Sequence, residues 1–343
     1  MTMKISILGT GRWASCIAFC MDRKGYDVLM WEREHADGHV SELFASHKNG
    51  FVTLSDRVDF THDLASAVGY GEVIIISILS QNLDSLIQQV RAVDGYQNKK
   101  YCIAMKGVES STGRRLSEIL IDAGIKRDNI AVWVGPGHVQ SIFGGQPTNM
   151  IVSAYNARYA HNLVKSFETA GVLDIASSDD IIGTEFGAAA KNVIGIAAGV
   201  LEGSNLEQKK GPLMPASVKE IGKFIDALGG DPRTASGLAF LGDFQATLFD
   251  HNSKNLTLGR TIIDKMTTDR EILSKYINVD SVEGVKTAEA LLKVQRRYNE
   301  RVNNTMQIKM PITSAVHEII SGKVRPEQAG EYISRKITEA LEL

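Results

Sequence analysis

A single lysine interrupts an apolar stretch in the second half of the chain. Lys191 is the only charged residue between Phe186 and Leu201, and a stretch that is apolar on every face is typical of a buried helix. Burying an ammonium group is costly unless it is paired or loses its proton, so we expect Lys191 to lie in a polar network or to be tuned for proton transfer. Such a lysine could take the hydroxyl proton while an alcohol is oxidised to a ketone by hydride transfer. The alternative is a lysine that snorkels to an interface.

A glycine-rich turn near the amino terminus could hold a diphosphate. The turn matches G-x-G-x-x-G/A with Gly9, Gly11 and Ala14 at the fixed positions, directly after an apolar strand and before helical sequence. Gly9 allows the tight turn, Gly11 lets the backbone approach a pyrophosphate, and Ala14 lets the helix sit close to the strand. The N–H groups at the helix start then bind the diphosphate, which indicates a dinucleotide site.

Two charged residues at the end of the second predicted strand bear on the choice of cofactor. Glu32 lies about 20 residues after the turn, where a carboxylate accepts hydrogen bonds from the adenosine ribose hydroxyls. Glu32 therefore favours NAD, whereas Arg33 could stack on adenine or pair with a 2'-phosphate and so permits NADP. The alternative is that both are solvated loop charges. We expect NAD or NADP as the cofactor.

Two further groups of polar residues suit a phosphorylated polyol. Lys106 directly follows a predicted strand, at the carboxyl edge of the sheet where ligands bind in open α/β folds. The second group supplies a carboxylate, hydroxyls, an amide and a cation. Its members are Asp243, Thr247, Ser253, Lys254 and Asn255. Taken singly, each of these is more often a surface residue, so it is their combination that indicates a site.

The hydrophobic periodicity predicts the strands and helices that carry these residues. From Lys4 to about Ser177, short β-branched runs alternate with longer amphipathic ones, which predicts a parallel sheet covered by helices on both faces. Strands are predicted at residues 5–8, 26–31, 73–78, 101–104, 131–134 and 150–153. Helices are predicted at residues 13–24, 82–90, 113–123 and 158–170. We expect an α/β fold, with a Rossmann-type doubly wound, mostly parallel sheet in residues 1–180 and an all-helical substrate-binding and catalytic domain in residues 181–343.

Composition and charge argue against several other classes of protein. The 343 residues are 43% hydrophobic, and 38 basic against 40 acidic residues leave no field that would attract nucleic acid or anionic lipid. The sequence shows no signal-peptide pattern, and its apolar runs are much shorter than the roughly 20 residues that a membrane span requires. Three cysteines without CxxC spacing argue against a disulfide framework or a metal site. We expect a cytoplasmic protein with a small-molecule partner, no nucleic acid and no membrane segment; a homodimer is compatible with the apolar helices but not required by them.

In their order along the chain, these motifs resemble the NAD(P)-dependent glycerol-3-phosphate dehydrogenase family in its bacterial form. The resemblance covers most of the chain, and the lysine-asparagine helix is its most specific part. It rests on residues 9–14, 105–109, 135–136, 187–194, 242–243, 253–255, 282–284 and 310–312. It implies interconversion of sn-glycerol 3-phosphate and dihydroxyacetone phosphate, supplying glycerophospholipid synthesis.

The resemblance also implies a role for each matching residue. Lys191 would carry the proton-transfer role, Lys106 would contact the substrate near the nicotinamide, and Asn192 and Asp243 would orient the hydroxyls and the lysine. From the residue pattern and the resemblance together, the other expected substrate contacts are Gly135, Thr247, Ser253, Lys254 and Asn255. The expected cofactor contacts are Gly9, Gly11, Ala14 and Glu32 from the fingerprint, Arg12, Trp13, Arg33, Val139 and Glu283 from the resemblance, and Lys106 and Lys254.

The chain departs from the family pattern around the implied phosphate site. Lys254 stands where the family has arginine, which keeps the charge but loses the bidentate fork. The other departures are Gly137 for a serine or threonine, Ser141 for a glutamate, and Gln208, Lys210 and Ala216 for an asparagine and two arginines. Two alternatives therefore stay open: a dehydrogenase of another small phosphorylated or carboxylated hydroxy compound, and a non-catalytic NAD(P)-binding sensor.

Overall fold

The computed structural model describes residues 2–34, 38–50, 52–249 and 253–343, which form two compact units. The first, here called the sheet unit, comprises Met1–Lys106 and Leu116–Ile181. The second, here called the helical unit, comprises Gly107–Arg115 and Ile182–Leu343. The segment 107–115, which the sequence-based division places in the first domain, thus packs with the second unit.

An eight-stranded sheet forms the centre of the sheet unit. In the order β10-β9-β8-β7-β6-β1-β2-β5, all neighbours are parallel except β8 and β9. The two remaining strands, β3 and β4, form a separate antiparallel hairpin. The strands are β1 Lys4–Leu8, β2 Asp27–Trp31, β3 Lys48–Asn49, β4 Val52–Thr53, β5 Val58–Thr61, β6 Val73–Ile76, β7 Lys100–Ile103, β8 Ile130–Val134, β9 Thr148–Ala154 and β10 Leu173–Ser178. The expected α/β fold with a mostly parallel, Rossmann-type sheet is confirmed.

The sheet order has a switch point beside β1. After β1 the chain adds β2 and β5 on one side, and it then resumes with β6 on the other side. Loops that leave β1 and β6 therefore diverge at the carboxyl edge, which is where open α/β sheets bind ligands. Every residue of β6 and β8 is buried, as expected for strands covered on both faces.

Seven helices are described in the sheet unit. They are α1 Arg12–Arg23, α2 Gly38–Ser46, α3 Leu64–Tyr70, α4 Leu83–Val90, α5 Leu116–Asp122, α6 Val139–Phe143 and α7 Ala157–Phe167. One hydrophobic core of this unit includes Cys16, Cys20 and Cys102, all buried and free.

Three differences from the predicted elements have physical reasons. The predicted helix at 113–123 begins only at Leu116, because the preceding residues are held by contacts within the helical unit. The strands β5 and β10 were not predicted. Both lie at the edges of the sheet, where exposed polar residues interrupt the apolar pattern.

The helical unit packs around one long buried helix. Its helices are α8 Ile181–Gly203, α9 Lys210–Ala227, α10 Asp243–Phe249, α11 Lys254–Asp264, α12 Arg270–Leu273, α13 Glu283–Asn299, α14 Pro311–Ile320 and α15 Pro326–Glu342. Every residue of α8 from 183 to 201 is buried, as the apolar sequence predicts. No strand occurs among the described residues from 182 onward, and none of the helices described here is long and apolar enough to cross a bilayer.

Two glycines let α8 and α11 touch through their backbones. A Cβ atom on Gly199 would lie 2.1 Å from the carbonyl oxygen of Leu256, and one on Gly259 would lie 2.2 Å from that of Ile196. Side chains at either position would hold the helices apart. This close approach brings the amino-terminal end of α11 to the middle of α8.

Candidate active site

The glycine-rich turn joins β1 to α1 at the switch point. Gly9 has a φ of +120°, and a Cβ atom there would lie 2.2 Å from the carbonyl oxygen of Ser77, so only glycine fits. Gly11 directly precedes the helix. A Cβ atom added to Gly11 would have no neighbour within 4 Å, so a ligand can reach the backbone there. The start of α1 has no side-chain cap and no acidic residue in its first turn. Its N–H groups are therefore suited to bind an anion such as a pyrophosphate.

The residues of the first turn of α1 differ in their exposure. Arg12 is exposed, Trp13 is half-buried, and Ala14 is fully buried, where its small side chain allows the helix to pack on the sheet. The Trp13 ring meets that of Trp133 edge to face, with the ring centroids 5.8 Å apart. Arg12 and Trp13 thus lie beside the glycine-rich turn.

The carboxylate of Glu32 is fixed from two sides at the end of β2. Its Oε2 accepts a hydrogen bond from the Thr10 hydroxyl at 3.0 Å, and its Oε1 accepts one from the backbone N–H of Arg33 at 3.0 Å. Glu32 is half-buried and Arg33 is exposed. A carboxylate in this place can accept hydrogen bonds from ribose hydroxyls, so the sheet unit fits an adenine dinucleotide.

A buried amide that the sequence analysis missed supports the turn. The Asn49 side chain, 3% exposed, donates hydrogen bonds from Nδ2 to the Thr10 carbonyl oxygen at 2.8 Å and to Ser15 Oγ at 2.9 Å. The Asn49-Gly50 dipeptide in the sequence signals only a hairpin turn. Nothing in the local sequence indicates that the amide reaches the phosphate-binding turn.

Gly137 is a departure from the family pattern that the packing explains. A Cβ atom there would lie 3.0 Å from Met150 Sδ and 3.2 Å from the Trp13 ring. The missing side chain therefore leaves no enlarged space, because Met150 and Trp13 occupy it. Val139, an implied cofactor contact, is buried at the start of α6 two residues later.

Lys106 and Gly135 lie together at the carboxyl edge of the sheet. Lys106 follows β7 and Gly135 follows β8, and the Lys106 ammonium donates a hydrogen bond to the Gly135 carbonyl oxygen at 2.9 Å. Lys106 is half-buried. The two loops that the sequence analysis assigned to the substrate are thus held to each other.

Lys191 lies in the polar network that its burial requires. It is 8% exposed in the middle of α8, and its Nζ lies 3.1 Å from Thr247 Oγ1 and 3.5 Å from Asp243 Oδ1. Asp243 and Thr247 are one turn apart on α10, where the Thr247 hydroxyl also donates to the Asp243 carbonyl oxygen at 2.9 Å. A π-helical turn, Leu238–Gly242, leads into α10, a feature that is frequent at functional sites.

A chain of amide hydrogen bonds extends this network across three helices. Asn192 Nδ2 donates to Glu283 Oε2 at 2.8 Å, and Asn255 Nδ2 donates to Asn192 Oδ1 at 3.0 Å. Asn255 Oδ1 in turn accepts from the backbone N–H of Gly284 at 3.0 Å. The residues next to the lysine on α8 are thereby tied to the starts of α11 and α13.

Ser253 and Lys254 lie at the amino-terminal end of α11. Ser253 is the N-cap residue, and its hydroxyl accepts from the Leu256 N–H. Lys254 is exposed, and its ammonium donates to Ser281 Oγ at 3.1 Å. A cation, a hydroxyl and a helix N-terminus together are suited to hold a phosphate group.

The remaining departures from the family pattern differ from one another in burial and in ion pairing. Ala216 is fully buried in the core of the helical unit. Lys210 pairs with Glu202, whose second carboxylate oxygen lies 2.9 Å from the Arg260 guanidinium. Gln208 and Ser141 are exposed.

The segment after Lys106 is anchored by two ion pairs within the helical unit. Arg115 contacts Glu185 of α8 at 3.0 Å, with both side chains nearly buried. Arg114 contacts Glu109 at 3.0 Å, and its hydrogen bonds hold the pKa of that carboxyl below its usual range. The sequence analysis missed Arg115 and Glu185, because a partner 70 residues away leaves no local signal.

Known protein families match both halves of the chain. The family model described as NAD-dependent glycerol-3-phosphate dehydrogenase N-terminus matches residues 4–160, and that described as the C-terminus of the same enzyme matches residues 180–331. Glycerol-3-phosphate dehydrogenase (NAD(P)+) of Chlorobium phaeobacteroides is 31% identical over 95% of this chain and 96% of its own. The chain belongs to the NAD-dependent glycerol-3-phosphate dehydrogenase family. The enzyme of the same name from Chlorobium limicola is 30% identical, with 93% of each chain covered.

Solved structures agree with this membership at the level of the fold. Glycerol-3-phosphate dehydrogenase from Coxiella burnetii superimposes with a TM-score of 0.83 at 24% identity, covering 100% of this chain and 99% of the other. D-mandelate dehydrogenase superimposes with a TM-score of only 0.60 at 13% identity. The fold is shared more fully with the first than with the second.

Proposed function

We propose that the chain catalyses the NAD(P)-dependent interconversion of sn-glycerol 3-phosphate and dihydroxyacetone phosphate. The observation that carries the proposal is the buried Lys191, held by Asp243 and Thr247, in a chain whose two halves match this family. The names of its relatives in two Chlorobium species support the same substrate. A protein that only sensed a dinucleotide would have no need of a buried base.

In this proposal, Lys191 transfers the proton. In the oxidation, the nicotinamide cofactor supplies the acceptor for the hydride that leaves the carbinol carbon. The neutral amine of Lys191 takes the hydroxyl proton and becomes an ammonium, so that the alcohol loses a hydride and a proton and becomes a ketone. Asp243 stabilises the ammonium that results, because the two charges are 3.5 Å apart and buried. In the reduction, Lys191 returns the proton to the carbonyl oxygen.

Binding and orientation are assigned to other polar groups of the two units. We assign the substrate phosphate to Ser253, Lys254 and Asn255 at the start of α11. Asn192 fits a role in orienting the substrate hydroxyl, since it is adjacent to Lys191 and fixed by Glu283 and Asn255. Lys106 and Gly135 are assigned to the reacting end of the substrate.

The test is an assay with dihydroxyacetone phosphate and a variant of the lysine. NADH or NADPH absorbance should fall when the ketone is added to the wild-type enzyme. Lys191→Ala should lower kcat by at least about 100-fold, because the group that transfers the proton is removed, while NADH binding stays unchanged, because the dinucleotide-binding turn is not altered. Lys286→Ala, an exposed lysine on α13, is the matched control and should keep full activity. Full activity in Lys191→Ala would overturn the mechanism.

One departure motivates a second candidate, a dehydrogenase of another small phosphorylated or carboxylated hydroxy compound. Lys254 replaces a bidentate arginine and already donates to Ser281, so a differently shaped anion could bind there. A panel of ketones distinguishes the two enzymes. Turnover of another ketone, with none of dihydroxyacetone phosphate, would favour the second candidate, and cofactor binding without turnover of any ketone would favour a sensor.

The cellular role, location and oligomeric state stay predictions. The proposed reduction yields glycerol 3-phosphate, which supports a place in glycerophospholipid synthesis. Three buried free cysteines support a reducing compartment such as the cytoplasm. Light scattering on the purified chain would distinguish a homodimer from a monomer.

A further inference from the structure

A buried hydroxyl lies between the phosphate-binding turn and Glu32. Thr10 occupies the second position of the turn, where the dinucleotide fingerprint accepts any residue. It is 4% exposed, and its Oγ1 donates a hydrogen bond to Glu32 Oε2 at 3.0 Å. Binding of a pyrophosphate by backbone N–H groups does not need this hydroxyl, so its bond to Glu32 is a separate feature of the turn.

Thr10 is itself held from a third element. The buried amide of Asn49 on β3 donates to the Thr10 carbonyl oxygen at 2.8 Å and to Ser15 Oγ on α1 at 2.9 Å. The turn, the first part of α1 and the end of β2 therefore form one hydrogen-bonded network. Reorienting the Glu32 carboxylate would break the bond from Thr10.

A carboxylate fixed in this way discriminates between the two nicotinamide cofactors. It can accept hydrogen bonds from the ribose hydroxyls of NADH, whereas the 2'-phosphate of NADPH brings a second anion to the same place. Residues 32–34 carry two carboxylates and one guanidinium, so their net charge also disfavours a phosphate. Arg33 fixes the same carboxylate through its backbone N–H at 3.0 Å.

We propose that Thr10 is a positioning residue that determines cofactor choice: by fixing Glu32 against the phosphate-binding turn, it makes the enzyme use NADH in preference to NADPH. The inference rests on the proposed dehydrogenase function and deepens it. Thr10 acts through Glu32, which is the residue that contacts the ribose.

The experiment compares both cofactors in three variants. With dihydroxyacetone phosphate as substrate, wild-type kcat/KM should be at least about tenfold higher for NADH than for NADPH. Thr10→Val keeps the shape of the side chain but removes the hydroxyl, and it should lower that ratio about tenfold, mainly through a higher KM for NADH with kcat unchanged. Thr10→Ser should restore the ratio. The control is Thr53→Val, an exposed position on β4, which should leave the ratio as in the wild type.

Titration calorimetry with NADH and NADPH separates this inference from the function on which it rests. An enzyme that binds NADH but reduces no dihydroxyacetone phosphate would refute the proposed function, and the ratio of dissociation constants would then test the cofactor preference. A wild-type preference for NADPH, or equal affinity for both, would overturn the inference. So would a Thr10→Val variant that keeps the wild-type ratio, because the hydroxyl would then have only a structural role. Binding of neither dinucleotide would overturn both proposals.

Discussion

At the scale of the residue, the candidate site depends on how buried polar groups are paired. Lys191 is tolerated in the apolar α8 because Asp243 and Thr247 face it at 3.5 and 3.1 Å. Removing one member of a buried ion pair leaves the other charge uncompensated, which costs more than the pair contributes. Catalysis and local stability therefore depend on the same contacts.

Asp243→Asn tests this dependence. The substitution keeps the shape of the side chain but removes the charge that stabilises the Lys191 ammonium, so we expect kcat to fall by about 100-fold with KM for NADH unchanged. Steady-state kinetics with dihydroxyacetone phosphate provide the measurement. Asp264→Asn on α11, where the carboxylate is exposed, should behave as the wild type. Unaltered kcat in Asp243→Asn would remove Asp243 from the mechanism.

At the scale of the element, helix packing brings the polar residues of the helical unit within hydrogen-bonding distance. Gly199 and Gly259 allow α8 and α11 to touch, and Asn255 at the start of α11 then reaches Asn192 on α8 at 3.0 Å. A similar close approach occurs at Gly9, beneath which the backbone of Ser77 passes. Small residues thus determine where the functional side chains lie.

Gly259→Ala should destabilise the helical unit. Its Cβ atom would lie 2.2 Å from the Ile196 carbonyl oxygen, so α8 and α11 must separate, and we expect the free energy of unfolding to fall by about 2–3 kcal/mol. Urea denaturation followed by circular dichroism provides the measurement. Gly211→Ala on α9 is the control: a Cβ atom there has no neighbour within 4 Å, so stability should be unchanged or slightly raised. Equal stability of the two variants would contradict the close packing.

At the scale of the whole molecule, the chain passes between its two units more than once. It leaves the sheet unit after Lys106, returns at Leu116, and leaves again after Ile181. Within the helical unit, a fully buried carboxylate joins α9 to α14: Glu220 accepts hydrogen bonds from the N–H groups of Ile312 and Thr313 at 2.7 and 3.0 Å. The stability of this unit should therefore respond to pH.

The raised pKa of Glu220 determines the direction in which stability changes with pH. Burial raises the pKa of Glu220 from 4.5 to about 7, although its hydrogen bonds oppose the shift. The folded chain thus keeps a proton that the unfolded chain has lost, so stability falls as pH rises from about 4.5 to about 7, by roughly 3 kcal/mol. Urea denaturation at pH 5 and pH 8 measures the difference. Glu220→Gln should flatten the dependence, whereas Glu318→Gln, at a partly exposed position of α14, should keep it. An equal slope in both variants would assign the dependence to other groups.

The sequence alone determined the features that depend on local spacing. The glycine-rich turn and the apolar surroundings of Lys191 each lie within a short stretch, and each predicted its element correctly. The strand-helix alternation predicted the mostly parallel sheet but missed its edge strands β5 and β10. The family membership also followed from motifs in sequence order. Only the tertiary structure decided which polar groups meet: the Thr10 hydroxyl with Glu32, Asn49 with the turn, and Asp243 with Lys191. These partners are tens of residues apart, and their pairing depends on how strands and helices pack, which local periodicity does not encode.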